Sequence, residues 1–171
     1  RMDEHLAALH AEKEALRARN RITTPDTHFN HLVNGWLKQQ CLYGATWCRW
    51  GWMGYRDIVQ QGGGVSSFAP KRTRAILLEA LRHQYRSGLA LRGWNPVDTK
   101  AYSDSALWLV FTLCWYLKET GDRELLDEVV PYFDEGEAPV LEHIETALSF
   151  LENNKGAHDL LLIKFGDWND S

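Results

Sequence analysis

Two short stretches hold the residue types best able to do chemistry. In Gly54-Tyr55-Arg56-Asp57 a guanidinium stands next to a carboxylate, among glycines and the indoles Trp50 and Trp52. Such a pair both donates and accepts hydrogen bonds, while neighbouring rings can cover the face of a sugar. An ordinary ion pair in a surface loop fits the same four residues. In Asp167-Trp168-Asn169-Asp170 two carboxylates flank an indole. Glycoside cleavage needs a proton delivered to the leaving oxygen, and a carboxylic acid can deliver it. An Asx-rich turn accounts for that spacing equally well.

Other constellations lead nowhere. His28 and His31 lie three apart, without a third ligand at suitable spacing for zinc, so no metal is expected. Cys41 and Cys48 fall on one helical face but lack the CxxC spacing, and read as small buried hydrophobes. Gly62-Gly63-Gly64 is followed by no Gly-Lys-Ser/Thr and preceded by no strand, which excludes a phosphate loop. Asp134-Glu135-Gly136-Glu137 reads as a solvated loop and Ala106–Leu117 as core.

Helices must position these stretches. Leu6, Leu9 and Leu16 form one narrow stripe over Asp3–Asn20, ended by Thr23-Thr24-Pro25, so residues 1–22 read as a linker or packing helix. A second helix is expected from His28 to Arg49, buried on most sides. Glycines at 51, 54 and 62–64 then predict a loop over Gly51–Gly64. Pro70 opens a helix reaching about Arg86, with Gly88 as its stop. Leu89–Tyr102 reads as a second aromatic loop. Ser103 or Asp104 caps an apolar helix that Gly121 ends, and Asp122 caps a short helix over Arg123–Val130. A last helix runs from Pro139 to Asn153; Leu160–Ile163 is an apolar run of ambiguous type. Strand alternation is nearly absent and no repeat period is visible, so the pattern predicts an all-α array of helical hairpins joined by aromatic loops.

Composition narrows the partners. The 171 residues carry 19 basic and 23 acidic side chains, dispersed and summing to −4, which leaves no basic footprint for nucleic acid. Apolar stretches are too short for a membrane span. An odd cysteine count of three predicts a reducing compartment, hence a cytoplasmic protein. Eight tryptophans, many beside glycine, exceed what core filling asks for.

The ordered set Asn34-Gly35-Trp36-Leu37 with Gln40, Gly54-Tyr55-Arg56-Asp57 with Gln60, Pro70, Arg74-Ala75-Ile76-Leu77, His83-Gln84-Tyr85, Gly88, Ser103-Asp104, Leu107-Trp108-Leu109, Thr120-Gly121-Asp122 and Gly166-Asp167-Trp168-Asn169-Asp170 resembles the inverting glycoside phosphorylases of glycoside hydrolase family 94. The resemblance implies part of an (α/α)6 toroid over residues 23–171, preceded by the family's linker helix over 1–22. It implies inverting phosphorolysis of a β-linked glucoside or N-acetylglucosaminide to a sugar 1-phosphate. Inorganic phosphate is then a co-substrate and no cofactor is needed. Asp170 matches the general acid; Arg56, Asp57, Trp168 and Asp167 match the donor-sugar subsite. A homodimer of the full-length enzyme is compatible with the family. Ser171, Ser105 and Lys100-Ala101-Tyr102 depart from the family pattern and bear on the acceptor sugar. The Arg-Met start and the stop one residue past Asp170 are expected of a piece of a larger enzyme. Two other readings stay open: an inverting hydrolase on the same toroid, and a non-catalytic scaffold whose Trp50, Trp52 and Trp94 stack on sugars.

Overall fold

The computed structural model describes residues 2–48, 51–162 and 166. Its first helix, α1 (Met2–Ala18), buries no residue. A bent helical rod follows, made of α2 (Thr27–His31), a π-helical segment Leu32–Leu37 and α3 (Lys38–Trp47). Asp26 caps α2 by accepting from the backbone N–H of His28 and Phe29.

Three polar side chains at four-residue spacing on this rod clamp the segment that descends from α1. Asn30 accepts from Thr24 N and donates to Thr24 O, both at 2.8 Å. Asn34 does the same for Ile22, at 2.9 and 2.8 Å. Lys38 Nζ donates to the carbonyls of Arg17 and Arg19 at the C-terminal end of α1, where a cation suits the unpaired carbonyls. Burial, helped by Arg21, holds the Lys38 pKa below its ordinary value.

The rod contradicts the expectation of a helix buried on most sides. Of its residues only Asn34, Lys38 and Ala45 are buried, whereas Trp36 and Trp47 are 59% and 62% exposed. The apolar residues were read correctly as helical but have no covering layer here.

After β1 (Met53–Gly54) comes a helix where a loop was expected: α4 (Tyr55–Gly64) runs through all three consecutive glycines. Each glycine costs a helix interior about 1 kcal/mol. Packing offsets that cost. A Cβ on Gly62 would lie 3.0 Å from Ile76, and one on Gly63 would lie 2.9 Å from the Trp115 ring, so the missing side chains let α4 approach its neighbours.

Helix α5 (Pro70–Leu81) has Pro70 in its first turn and stops earlier than the sequence suggested. The expected aromatic loop is a β-hairpin, β2 (Ala90–Asn95) and β3 (Val97–Tyr102), turning at a cis Asn95–Pro96 bond. It pairs Ala90 with Tyr102 and Trp94 with Val97, and β1 joins its β2 edge through Gly54 and Gly93. Gly93 is required there, because a Cβ would sit 2.7 Å from the Met53 carbonyl oxygen. The chain is therefore mostly helical rather than all-α.

Helix α6 (Ser103–Thr120) ends as expected on Gly121, which takes the left-handed φ of +70°. A 3-10 turn (Arg123–Asp127) replaces most of the short helix expected after Asp122. Asp122 accepts instead from the Tyr116 hydroxyl at 2.6 Å and from Arg74 at 3.2 Å, while Arg74 also grips Glu128. Strands β4 (Val129–Pro131) and β5 (Glu137–Pro139) pair antiparallel, and α7 (Val140–Glu152) closes the described core.

That core joins Ile58 and Val59 of α4, Ile76 and Leu77 of α5, Leu109 and Leu113 of α6 and Val140 and Ile144 of α7. Cys41 and Cys48 are half-buried and pack against it. His143 is fully buried, its ring nitrogens facing Gln84 Oε1 at 2.8 Å and the Val130 carbonyl at 3.0 Å. Burial depresses its pKa, against the opposing pull of the Val130 carbonyl and Glu142. Among the described residues no helix is long and apolar enough to cross a membrane.

Candidate functional site

Arg56 and Asp57 occupy the first turn of α4, not a flexible loop. A helix start holds side chains more firmly than a glycine-rich loop would, and its positive end favours the Asp57 carboxylate. Arg56 reaches across to the first turn of α6, where its Nη1 donates to Asp104 Oδ2 at 2.9 Å. The two side chains are 13% and 20% exposed, so the pair is sheltered yet still open on one side. The sequence offered Asp104 only as a candidate cap of the apolar helix; it lies instead inside the first turn of α6, which has no side-chain cap, and its carboxylate turns to Arg56. No local signal could supply that contact, because the two residues stand 48 positions apart.

Gly54 brings the aromatic part of the site to this pair. A Cβ there would meet the Trp52 ring and would lie 2.5 Å from Asp57 Oδ2. The indole edge and the carboxylate therefore share the space above one bare Cα. An indole beside hydroxyl-seeking acids is an arrangement suited to a pyranose, whose C–H face packs on rings while its rim hydrogen-bonds.

Tyr55 lies fully buried beneath this surface, and its hydroxyl meets no hydrogen-bond partner among the described residues. One oxygen of Asp104, Oδ1, is likewise without a partner among them. Trp94 stands edge-on to Tyr55 at 5.6 Å between centroids and stacks on His83 at 4.7 Å. It is half-buried and engaged by these two protein rings.

On the hairpin, Arg92 of β2 donates to Asp98 Oδ2 of β3 at 3.3 Å, and its guanidinium carbon lies 5.7 Å from the centroids of both Trp52 and Tyr102. Arg92 and Asp98 carry no local signal in the sequence, because their meeting depends on a hairpin that reads as a loop. Asp167, Trp168 and Asp170 lie outside the described residues, as does Trp50. Among the described residues no three His, Cys, Asp or Glu side chains converge to hold a metal ion.

Residues 13–171 match the family model of the glycosyl hydrolase 94 superfamily catalytic domain. The chain belongs to this family. Within the glycosyl hydrolase 94 superfamily it is similar to a solabiose phosphorylase from Paenibacillus borealis, 42% identical over 171 residues that span all of this chain and 22% of that protein. It is also similar to an N,N'-diacetylchitobiose phosphorylase from Vibrio proteolyticus, 28% identical over 207 residues, covering 99% of this chain and 26% of that protein. A third relative, the cyclic beta-(1,2)-glucan synthase NdvB of Rhizobium meliloti, is 30% identical over 178 residues, 88% of this chain and 6% of that protein. The chain thus spans about a quarter of the length of the two phosphorylases.

Proposed function

We propose that this chain supplies the donor-sugar side of an inverting phosphorylase that cleaves a β-linked glucoside or N-acetylglucosaminide. The observation that carries the reading is the Arg56–Asp104 pair with Asp57 and Trp52 gathered beside it, in a chain of this family. Arg56 and Asp57 hold hydroxyls of the donor ring, and Trp168 and Asp167 line the same subsite. The helices form part of an (α/α)6 toroid over residues 23–171, with residues 1–22 as the linker ahead of it. Trp36, Trp47, Phe111 and Trp115, which stand exposed on the rod and on α6, support that arrangement, because a closed toroid would cover such faces.

The chemistry needs one proton donor. Asp170 protonates the bridging oxygen as the glycosidic C–O bond breaks, while a phosphate oxygen attacks the anomeric carbon from the opposite face. The products are a free acceptor sugar and a sugar 1-phosphate of inverted configuration, and Asp170 regains its proton from water. An inverting hydrolase must find a second carboxylate to activate water. Phosphate arrives as an anion, so none is needed. The acid has to start neutral, which burial or the neighbouring Asp167 charge promotes.

The test is turnover by a protein of the relatives' length carrying this chain, with and without inorganic phosphate. Cleavage should depend on phosphate and yield the sugar 1-phosphate, and Asp170→Asn should lower it by about three orders of magnitude or more. Equal release of free sugar without phosphate would make the protein a hydrolase. Undiminished turnover in the Asp170→Asn protein would remove the acid from its role.

A further inference from the structure

Beside the sheltered Arg56–Asp104 pair stands a second guanidinium–carboxylate pair nearer the surface. The Arg92 and Asp98 side chains are 38% and 34% exposed. Both Asp98 oxygens are occupied: Oδ2 accepts from Arg92 and Oδ1 from the backbone N–H of Lys100 at 3.1 Å. Asp98 therefore fixes the guanidinium while each of its oxygens already accepts one bond. The guanidinium is also held between two rings, Trp52 and Tyr102. Of its five N–H donors, Asp98 takes one, and the side chain that carries them is more than a third exposed.

Trp52 ties this pair to the inner one in space, and Tyr102 along the chain. Trp52 shares the space over Gly54 with Asp57, and Tyr102 precedes Ser103 and Asp104 directly in the chain. The molecule thus carries an inner and an outer arginine, linked by an indole and a phenol, each oriented by an aspartate. A disaccharide presents hydroxyls in the same way, on two adjoining rings.

We propose that Arg92 is a specificity residue for the acceptor sugar: it hydrogen-bonds hydroxyls of the ring next to the one held by Arg56 and Asp57, with Asp98 as the positioning residue. This rests on the phosphorolysis reading. It also accounts for the pair's exposure, since an acceptor must enter and leave while the donor ring stays bound.

The test runs the reaction in the synthetic direction, with sugar 1-phosphate and acceptor sugar varied separately, in a protein of the relatives' length carrying this chain. Arg92→Ala should raise the KM for the acceptor about tenfold or more, the scale of a lost hydrogen bond to a charged group. The KM for the sugar 1-phosphate should stay within about threefold. Arg92→Lys keeps the charge but loses the planar fork, and should give an intermediate acceptor KM. An acceptor KM within about twofold of the parent's, or equal rises for both substrates, overturns the proposal. If Arg92→Ala fails to fold, an unchanged acceptor KM in Arg92→Lys overturns it. A parent protein with no phosphate-dependent turnover overturns the phosphorolysis reading, and this inference with it.

Discussion

Tyr55 immediately precedes Arg56, and its buried hydroxyl meets no partner among the described residues. Burial pushes its pKa up, so the group stays a neutral phenol. A buried hydroxyl without a partner is a net cost, and Tyr55→Phe should leave stability unchanged or raise it by up to about 1 kcal/mol. Thermal melts of the two proteins decide this; a clear loss in the Phe variant would mean that the hydroxyl is bonded in solution. Asp122 behaves in the opposite sense. The Tyr116 hydroxyl foremost, then Arg74, hold its pKa below the ordinary 3.8, with burial opposing them. A carboxylate depressed in the folded state contributes stability that is fully present above 3.8 and is lost as pH falls through the folded value. Melting temperature followed downward from about pH 5 should therefore fall more steeply in the parent than in Asp122→Asn. Parallel slopes would show that Tyr116 and Arg74 do not stabilise the charged form.

Helix α4 sets the element scale, because its glycines divide by what lies over them. Gly62 faces Ile76, with 3.0 Å between that side chain and a new Cβ, whereas nothing lies within 4 Å of a Cβ on Gly64. Gly64→Ala should stabilise by about 0.5–1 kcal/mol through helix propensity. Gly62→Ala gains the same propensity but must displace Ile76 in the core, and should destabilise by about 1–3 kcal/mol. Denaturant midpoints of the two variants should move in opposite directions; a shared gain would mean that α4 does not rest closely on α5. The element scale is also where the sequence was least informative. Counting glycines made residues 51–64 a loop, yet the helix stands because α5 and α6 need close approach. The hairpin was hidden for a similar reason: Ala90–Tyr102 shows no clean alternation, and its pairing comes from β1 and from the packing of Trp94 on His83.

At the scale of the molecule, apolar side chains on the rod, on α6 and on α7 stand in solvent, among them Trp36, Trp115 and Leu148. Faces of that kind associate when they find no covering layer. The 171-residue chain by itself should therefore self-associate and have no phosphorolytic activity, which light scattering coupled to size-exclusion chromatography and an assay for sugar 1-phosphate formation would check. A monodisperse monomer that turns over substrate would contradict the partial-toroid reading. By itself the sequence determined the helices with strong local signals, such as the glycine that ends α6 at 121, the proline that opens α5 at 70, and the apolar period of α7. It also determined the family, through short motifs in a fixed order. These features depend on residues within a turn or two of each other, where propensity and capping act. Only the tertiary structure decided that a glycine run would be helix, that Asp104 would meet Arg56, and that Arg92 would settle between two rings. Such contacts join residues tens of positions apart, and their free energy exists only once the chain has brought them together.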